Sequence, residues 1–175
     1  AGNPRLVGQQ DRQAALARGY VEVMTYSFLH PRELERLHFS PQDPRGNPPG
    51  LLNPISQEQV AMRTCILPGL LRALEQNLRS GWRGSMRFFE TGNVFFHDAQ
   101  EGYRESEHLA GLVYLGKDRH VLYGDRLRED FFTVKADVEA LLAARGIVAQ
   151  WREGEEPFGH RGPTAAILRD GVPLG

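Results

Sequence analysis

Apolar residues recur at helical spacing in two stretches of this chain and crowd into short β-branched or aromatic runs in several others. The clearest helix is predicted over Pro68 to Arg79. Leu67, Leu70, Leu71, Leu74 and Leu78 share one face, proline is tolerated in the first turn, and Gly81 follows as a stop. A second is predicted from Phe131 to Arg145. Asp130 serves as its cap, Val134, Val138, Leu141 and Leu142 form its apolar side, and Gly146 lies beyond it. Shorter helices are expected over Gln9 to Arg18, ended by Gly19, and over Pro31 to Leu37. Ser56 and Gln59 have capping-box spacing and predict a helical turn after Pro54. Strands are predicted at Tyr20 to Phe28, Ser85 to Phe96 (paired or kinked at Thr91-Gly92), His108 to Leu115, Ile147 to Arg152 and Thr164 to Arg169.

Breakers supply the connections. Residues 1–8 read as loop or linker, Ser40 to Gly50 as an exposed loop, Asp98 to Glu107 as a polar loop, and the stretch through Gly162 as another loop. Asp170-Gly171 is a strong two-residue hairpin turn, because both residue types tolerate positive φ. Only a few residues follow it, so the chain is expected to be a fragment cut within that hairpin. Helices and strands alternate without a regular βαβ rhythm. This predicts one α+β domain over residues 1–175, built on a largely antiparallel sheet flanked by helices.

Composition narrows the function classes. The 175 residues suit one domain. With 21 basic and 22 acidic side chains the formal charge is −1, which gives no domain-wide attraction for phosphate backbones. No apolar run approaches the ~18–20 residues of a membrane span. The single cysteine, Cys65, forbids an internal disulfide and fits a reducing cytoplasm. Phosphate-cradling glycine loops, the nucleophile elbow and the paired-histidine zinc motif are all missing. His97, Asp98 and His108 form a weak metal candidate, outweighed by packed or solvated histidines. Trp82, flanked by Arg79 and Arg83, reads as a surface turn before a base-stacking site, and Glu153, Glu155 and Glu156 as a solvated acidic loop.

Four segments in order carry a family resemblance. They are Gly19 to Phe28; Asn53-Pro54-Ile55-Ser56 through Met62-Arg63-Thr64 to Leu67-Pro68-Gly69-Leu70-Leu71; Phe88-Phe89-Glu90-Thr91-Gly92-Asn93-Val94-Phe95; and Phe131 to Glu139. Together they resemble the β-subunit core of bacterial phenylalanine–tRNA ligases. Gly159-His160-Arg161-Gly162-Pro163-Thr164 is similar to a further segment of that core, with its proline and arginine places altered.

The resemblance implies a class II synthetase-like fold, cytoplasmic location, and assembly with a catalytic α subunit and a second β subunit as α2β2. It places the first helix and strand at motif 1, which builds subunit interfaces in the family. Period-two spacing puts Tyr20, Glu22, Met24 and Tyr26 on one strand face, and these residues with Arg63 are the candidate interface. Catalytic relatives carry arginine near Asn93 and Phe96, and Asp98 keeps the acidic place. A phenyl ring cannot bind phosphate, so the resemblance implies a catalytically degenerate domain with no catalytic, cofactor or metal residues of its own. ATP and Mg²⁺ are expected only for the whole complex, and tRNA binding by this chain alone is expected to be weak or absent. Two other readings remain: a paralogue binding an amino acid as a regulator, and an active ligase with arginines relocated to Arg63, Arg87 or Arg104.

Overall fold

A computed structural model describes residues 4–40, 42–116, 130–159 and 164–174, with side chains from residue 9 onward. Helix α1 (Pro4–Ala17) starts inside the stretch expected to be linker. Gly19, at φ +79°, then turns the chain out of the helix. The expected strand over Tyr20 to Phe28 is instead two short ones. β1 (Val21–Glu22) runs parallel to β4 (Met86–Asp98), and β2 (Phe28–Leu29) pairs with β3 (Ala61–Met62) in a different sheet.

Thr25 explains the split. Its hydroxyl donates to Glu90 Oε2 at 2.7 Å, and its side chain fills the space where a Cβ on Gly69 would stand. The chain is therefore drawn off one sheet and delivered to the next.

α2 (Arg32–Glu35) is shorter than predicted, and a 3-10 turn at Pro44–Gly46 is capped by Asp43. After Pro54 there is a turn, not a helix, and the Ser56 hydroxyl accepts from the Glu58 N–H. Helix α3 (Leu67–Arg79) forms as its leucine spacing requires.

The long hairpin corrects the sequence most. β4 (Met86–Asp98) and β5 (Gly102–Tyr114) pair without interruption from Met86↔Tyr114 to Asp98↔Gly102. Thr91-Gly92 is not a break, and Asp98 to Glu107 is not a loop. Tyr103, Arg104 and Glu105 are all exposed, so this part of β5 meets water with side chains of both parities. A strand solvated on both faces lacks the alternation that identifies strands.

Helix α4 (Phe131–Ala144) carries the expected cap. Asp130 accepts from the Thr133 N–H while the Thr133 side chain reaches back to the Asp130 N–H. β6 (Gln150–Glu153), β7 (Ala165–Arg169) and β8 (Val172–Pro173) complete the chain. Asp170 (φ 51°) and Gly171 (φ 79°) make the β7–β8 turn.

Antiparallel pairing dominates, as expected, but it is distributed over three small sheets, ordered β1-β4-β5, β2-β3 and β6-β7-β8. The core is organised about β4. On one face Met86, Phe88 and Val94 pack against Ile66 and Leu70, with Leu74 and Leu78 beside them. On the other, Phe89 meets Ala15 of α1, Tyr20, and Leu141 of α4. Leu67 and Leu71 leave the predicted stripe and line a groove with Leu37 and Phe158.

Candidate functional site

The β4 face turned toward α3 holds a buried polar cluster. Arg63 and Glu90 have side chains only 5% and 4% exposed, and Arg63 Nη1 donates to Glu90 Oε1 at 2.6 Å. The same guanidinium donates to the Thr25 hydroxyl at 3.1 Å and, through Nε, to the Asn93 carbonyl at 2.8 Å. Removing two charges from water is tolerated only with such saturation. Gly92 permits it, since a Cβ there would collide with the guanidinium. Arg63 therefore pairs inside the domain, as a local salt bridge with Glu90.

The three motif 2 positions are also engaged locally. Asn93 donates to the Glu105 carboxylate across the hairpin. The Phe96 ring packs against the α3-facing core, tilted against His108 at 6.3 Å, with the Arg104 guanidinium 5.8 Å from its centre. Asp98 accepts from the N–H groups of Gln100 and Glu101 at 2.8 and 3.0 Å, closing the hairpin turn. Those donors hold its carboxyl below the ordinary aspartate value. His97 lies toward the hairpin tip opposite Tyr103, while His108 faces Gly92. Among the described residues no cluster of histidine, cysteine, aspartate or glutamate is placed to hold a metal ion. His108 is held below its usual value, first by burial and then by Arg104.

The opposite face of β4 carries a second cluster. Asp137 of α4 accepts from Arg18 Nη1 at 2.7 Å, Arg87 Nη1 at 2.8 Å and the Tyr20 hydroxyl at 3.0 Å. Burial raises the Asp137 pKa, but the hydrogen bonds from Arg18 and Tyr20 and the Arg87 charge outweigh it and leave the net value lowered. A cavity of about 540 Å³ opens beside this cluster, between β5, α4 and β7. Its second ion pair, Asp11 with Arg145, joins α1 to the end of α4.

The candidate interface residues thus divide. Tyr20 is buried on Asp137, Glu22 pairs with Arg12, and Arg63 is sealed in. Met24 and Tyr26 stand 90% and 70% exposed, because β1 ends at Glu22 and the following residues pass over the surface. Sequence reasoning missed Leu52 and Ile55, 98% and 81% exposed in the loop of the Asn53-Pro54-Ile55-Ser56 motif. The available signal was two large apolar residues inside a breaker-rich segment. Trp82 is half exposed, and its indole N–H reaches the Ser85 carbonyl at 3.4 Å. Glu156 of the acidic loop pairs with Arg45. The segment at 160–163 lies outside the described residues.

A parallel strand beside a long antiparallel hairpin, with helices on both faces, places the chain in the class II synthetase-like folds. Two solved pyrrolysyl-tRNA synthetases from Desulfitobacterium hafniense share that fold with it at 17% identity, with TM-scores of 0.61 and 0.62. Each match covers 96% of this chain and 53% or 56% of the other. At the level of family, residues 5–175 match the phenylalanyl tRNA synthetase beta chain CLM domain, and the chain belongs to that family. It is 41% identical over 167 residues to the phenylalanine–tRNA ligase beta subunit of Pseudomonas syringae pv. tomato (strain ATCC BAA-871 / DC3000). It is 38% identical to that of Xanthomonas oryzae pv. oryzae (strain MAFF 311018). It spans about a fifth of the length of these relatives while 94% of its own length is matched. Among the described residues no helix is long and apolar enough to cross a membrane.

Proposed function

We propose that this chain is the non-catalytic structural core of a phenylalanine–tRNA ligase β subunit, supporting a catalytic α subunit within an α2β2 assembly that charges tRNA in the cytoplasm. The observation that carries the reading is the state of β4. The position where catalytic relatives bear arginine holds Phe96, whose ring packs into the core, and Asp98 is spent on turn amides. A triphosphate with Mg²⁺ needs cationic donors and free carboxylate oxygens in one place. Asn93, Phe96 and Asp98 do not fit that need. ATP and Mg²⁺ belong to the α subunit in this reading, and tRNA is held by the whole assembly.

The relocated-arginine alternative loses support from the same geometry. Arg63 is sealed on Glu90, Arg87 lies on Asp137, and Arg104 lies beside the Phe96 ring. The amino-acid regulator needs a cation for a carboxylate and an anion for an ammonium in one cavity. The cavity's Arg145 and Asp11 hold each other, and Asp137 is filled by its three donors.

The test uses the full-length β subunit assembled with its α subunit. Asn93→Ala and Asp98→Ala are expected to leave aminoacylation kcat/KM within about threefold of the parent, under ~0.7 kcal/mol of transition-state stabilisation. A loss beyond roughly 100-fold with the assembly intact would place these residues in the chemistry. Met24 and Tyr26 supply the open apolar surface for the α subunit. Replacing both with aspartate is expected to weaken α–β association by roughly 10–100-fold in analytical ultracentrifugation. Unchanged association would move the interface elsewhere.

A further inference from the structure

Met24, Thr25 and Tyr26 carry the chain from the sheet of β1 to the sheet of β2. On one side of this span the Val23 N–H donates to the Phe89 carbonyl at 2.8 Å. On the other the Ser27 carbonyl accepts from the Arg63 N–H at 2.9 Å. Between those two bonds no backbone hydrogen bond to another described residue holds the chain. A span without ladder bonds depends on its side chains for its conformation. Met24 and Tyr26 are turned to solvent. Thr25 is therefore the anchor.

Its hydroxyl donates to Glu90 Oε2 at 2.7 Å and accepts from Arg63 Nη1 at 3.1 Å. A carboxylate can only accept and a guanidinium can only donate, so a group that does both fits between them. The two partners are themselves fixed. Arg63 and Glu90 hold each other, Arg63 Nε donates to the Asn93 carbonyl at 2.8 Å, and the Arg63 carbonyl accepts from the Phe95 N–H at 2.8 Å. Behind Thr25 stands Gly69 in the first turn of α3. A Cβ there would lie 2.2 Å from the Thr25 hydroxyl oxygen. Ile66 and Leu70, both buried, pin that end of the helix. The hydroxyl thus sits in a slot with rigid walls.

We propose that Thr25 is a positioning residue for α-subunit association, its hydroxyl holding Met24 and Tyr26 in the conformation that the α subunit meets. The inference rests on the reading that these two residues face the α subunit. An unpinned span would have to be ordered when the partner docks, and that ordering opposes binding. With Thr25 in its slot the span is ordered on folding. Thr25 faces inward, so losing its hydroxyl lowers the fraction of β subunits in the competent conformation, and apparent affinity falls with that fraction. The loss appears in kon. Met24 and Tyr26, as contacts, act mostly on koff.

The test measures association and dissociation rates of the full-length β subunit with its α subunit, on variants whose near-UV circular dichroism matches the parent. Thr25→Val keeps the side-chain shape and removes the hydroxyl. It is expected to lower kon roughly 10-fold and to leave koff within about twofold. Thr25→Ser keeps the hydroxyl and is expected to hold kon within about twofold of the parent. Gly69→Ala reaches the same point from the other side. It leaves the hydroxyl and the ion pair in place, drives Thr25 from its slot, and is expected to lower kon by a similar factor. It decides the question if Thr25→Val fails to fold. The Met24 and Tyr26 double aspartate variant separates the proposal from the reading beneath it. If that variant loses association while Thr25→Val and Gly69→Ala keep the parental kon, the positioning role is overturned and the interface stands. If all of them associate like the parent, both are overturned. A Thr25→Val loss carried by koff would make Thr25 a contact, and a serine variant as slow as the valine one would leave the hydroxyl without a role; either result overturns the proposal.

Discussion

The two faces of β4 solve the same problem in different ways. Toward α3 the strand is closed, with Leu70 fully buried and an ion pair sealed between Arg63 and Glu90. Toward α4 it borders a cavity, and a buried carboxylate, Asp137, gathers two arginines and a tyrosine there. Arg18 on that side keeps 37% of its side chain exposed, against 5% for Arg63. Water reaches Arg18, a partner of Asp137, and has no comparable access to either member of the Arg63–Glu90 pair. Equivalent substitutions should therefore cost unequal amounts.

The largest difference is expected at Glu90. Glu90→Ala leaves a buried guanidinium without its counter-charge and should lose ~3–5 kcal/mol of stability in urea titration. Arg63→Met with Glu90→Leu removes both charges together and should cost less than the single change, since the desolvation penalty disappears with the pair. If the double variant is worse than the single one, the pair is net stabilising and the closed face is held by charge. Leu70→Ala, in the same layer, should lose ~2–5 kcal/mol by leaving a cavity under α3.

On the open face the expected loss is smaller and depends on pH. Asp137→Asn should cost ~1–3 kcal/mol near neutrality, because its charged hydrogen bonds become neutral ones. The native carboxyl titrates below its usual value of 3.8. Its contribution is complete above the unfolded-chain value of ~3.9 and fades as pH falls through the lower native value. The gap between parent and variant in urea midpoint should thus be full at pH 6 and shrink below about pH 4. A gap independent of pH would mean that Asp137 acts by shape and not by charge.

Local signals carried part of this structure and tertiary contacts the rest. The leucine spacing of α3, the Asp130 cap of α4 and the Asp170-Gly171 turn are each decided within a few residues, and each was legible. The break in the Tyr20 to Phe28 strand was not, because Thr25 is drawn to Glu90, 65 residues away. The strand at the hairpin tip was hidden by its solvation on both faces. The Arg63–Glu90 pair spans 27 residues and has no periodic signature. A trace existed all the same in Gly92. A glycine inside a strand pattern marks either a break or a close approach, and the guanidinium against Gly92 makes it the second. The motif 2 positions were legible by type. Their engagement with turn amides and core rings depends on register, which residue identity alone does not determine.

The smallest effect is expected at the β7–β8 turn, whose own two residues are exposed. Gly171 sits at φ +79°, where a Cβ is disfavoured, although open space surrounds it. Gly171→Ala should therefore cost only ~1 kcal/mol, all of it backbone strain. Asp170 already occupies the left-handed region at φ 51°. Asp170→Asn keeps the turn, suits that conformation at least as well, and should change stability by less than ~0.5 kcal/mol. Because Leu174 beyond this turn lines the cavity, the same pair of variants also sharpens the contrast between the faces. If Gly171→Ala lowers stability in a longer β-subunit polypeptide by more than in this chain, the turn takes part in contacts beyond this chain. If the loss is equal in both, the turn is a local feature and the open face is held by α4 and β5 alone.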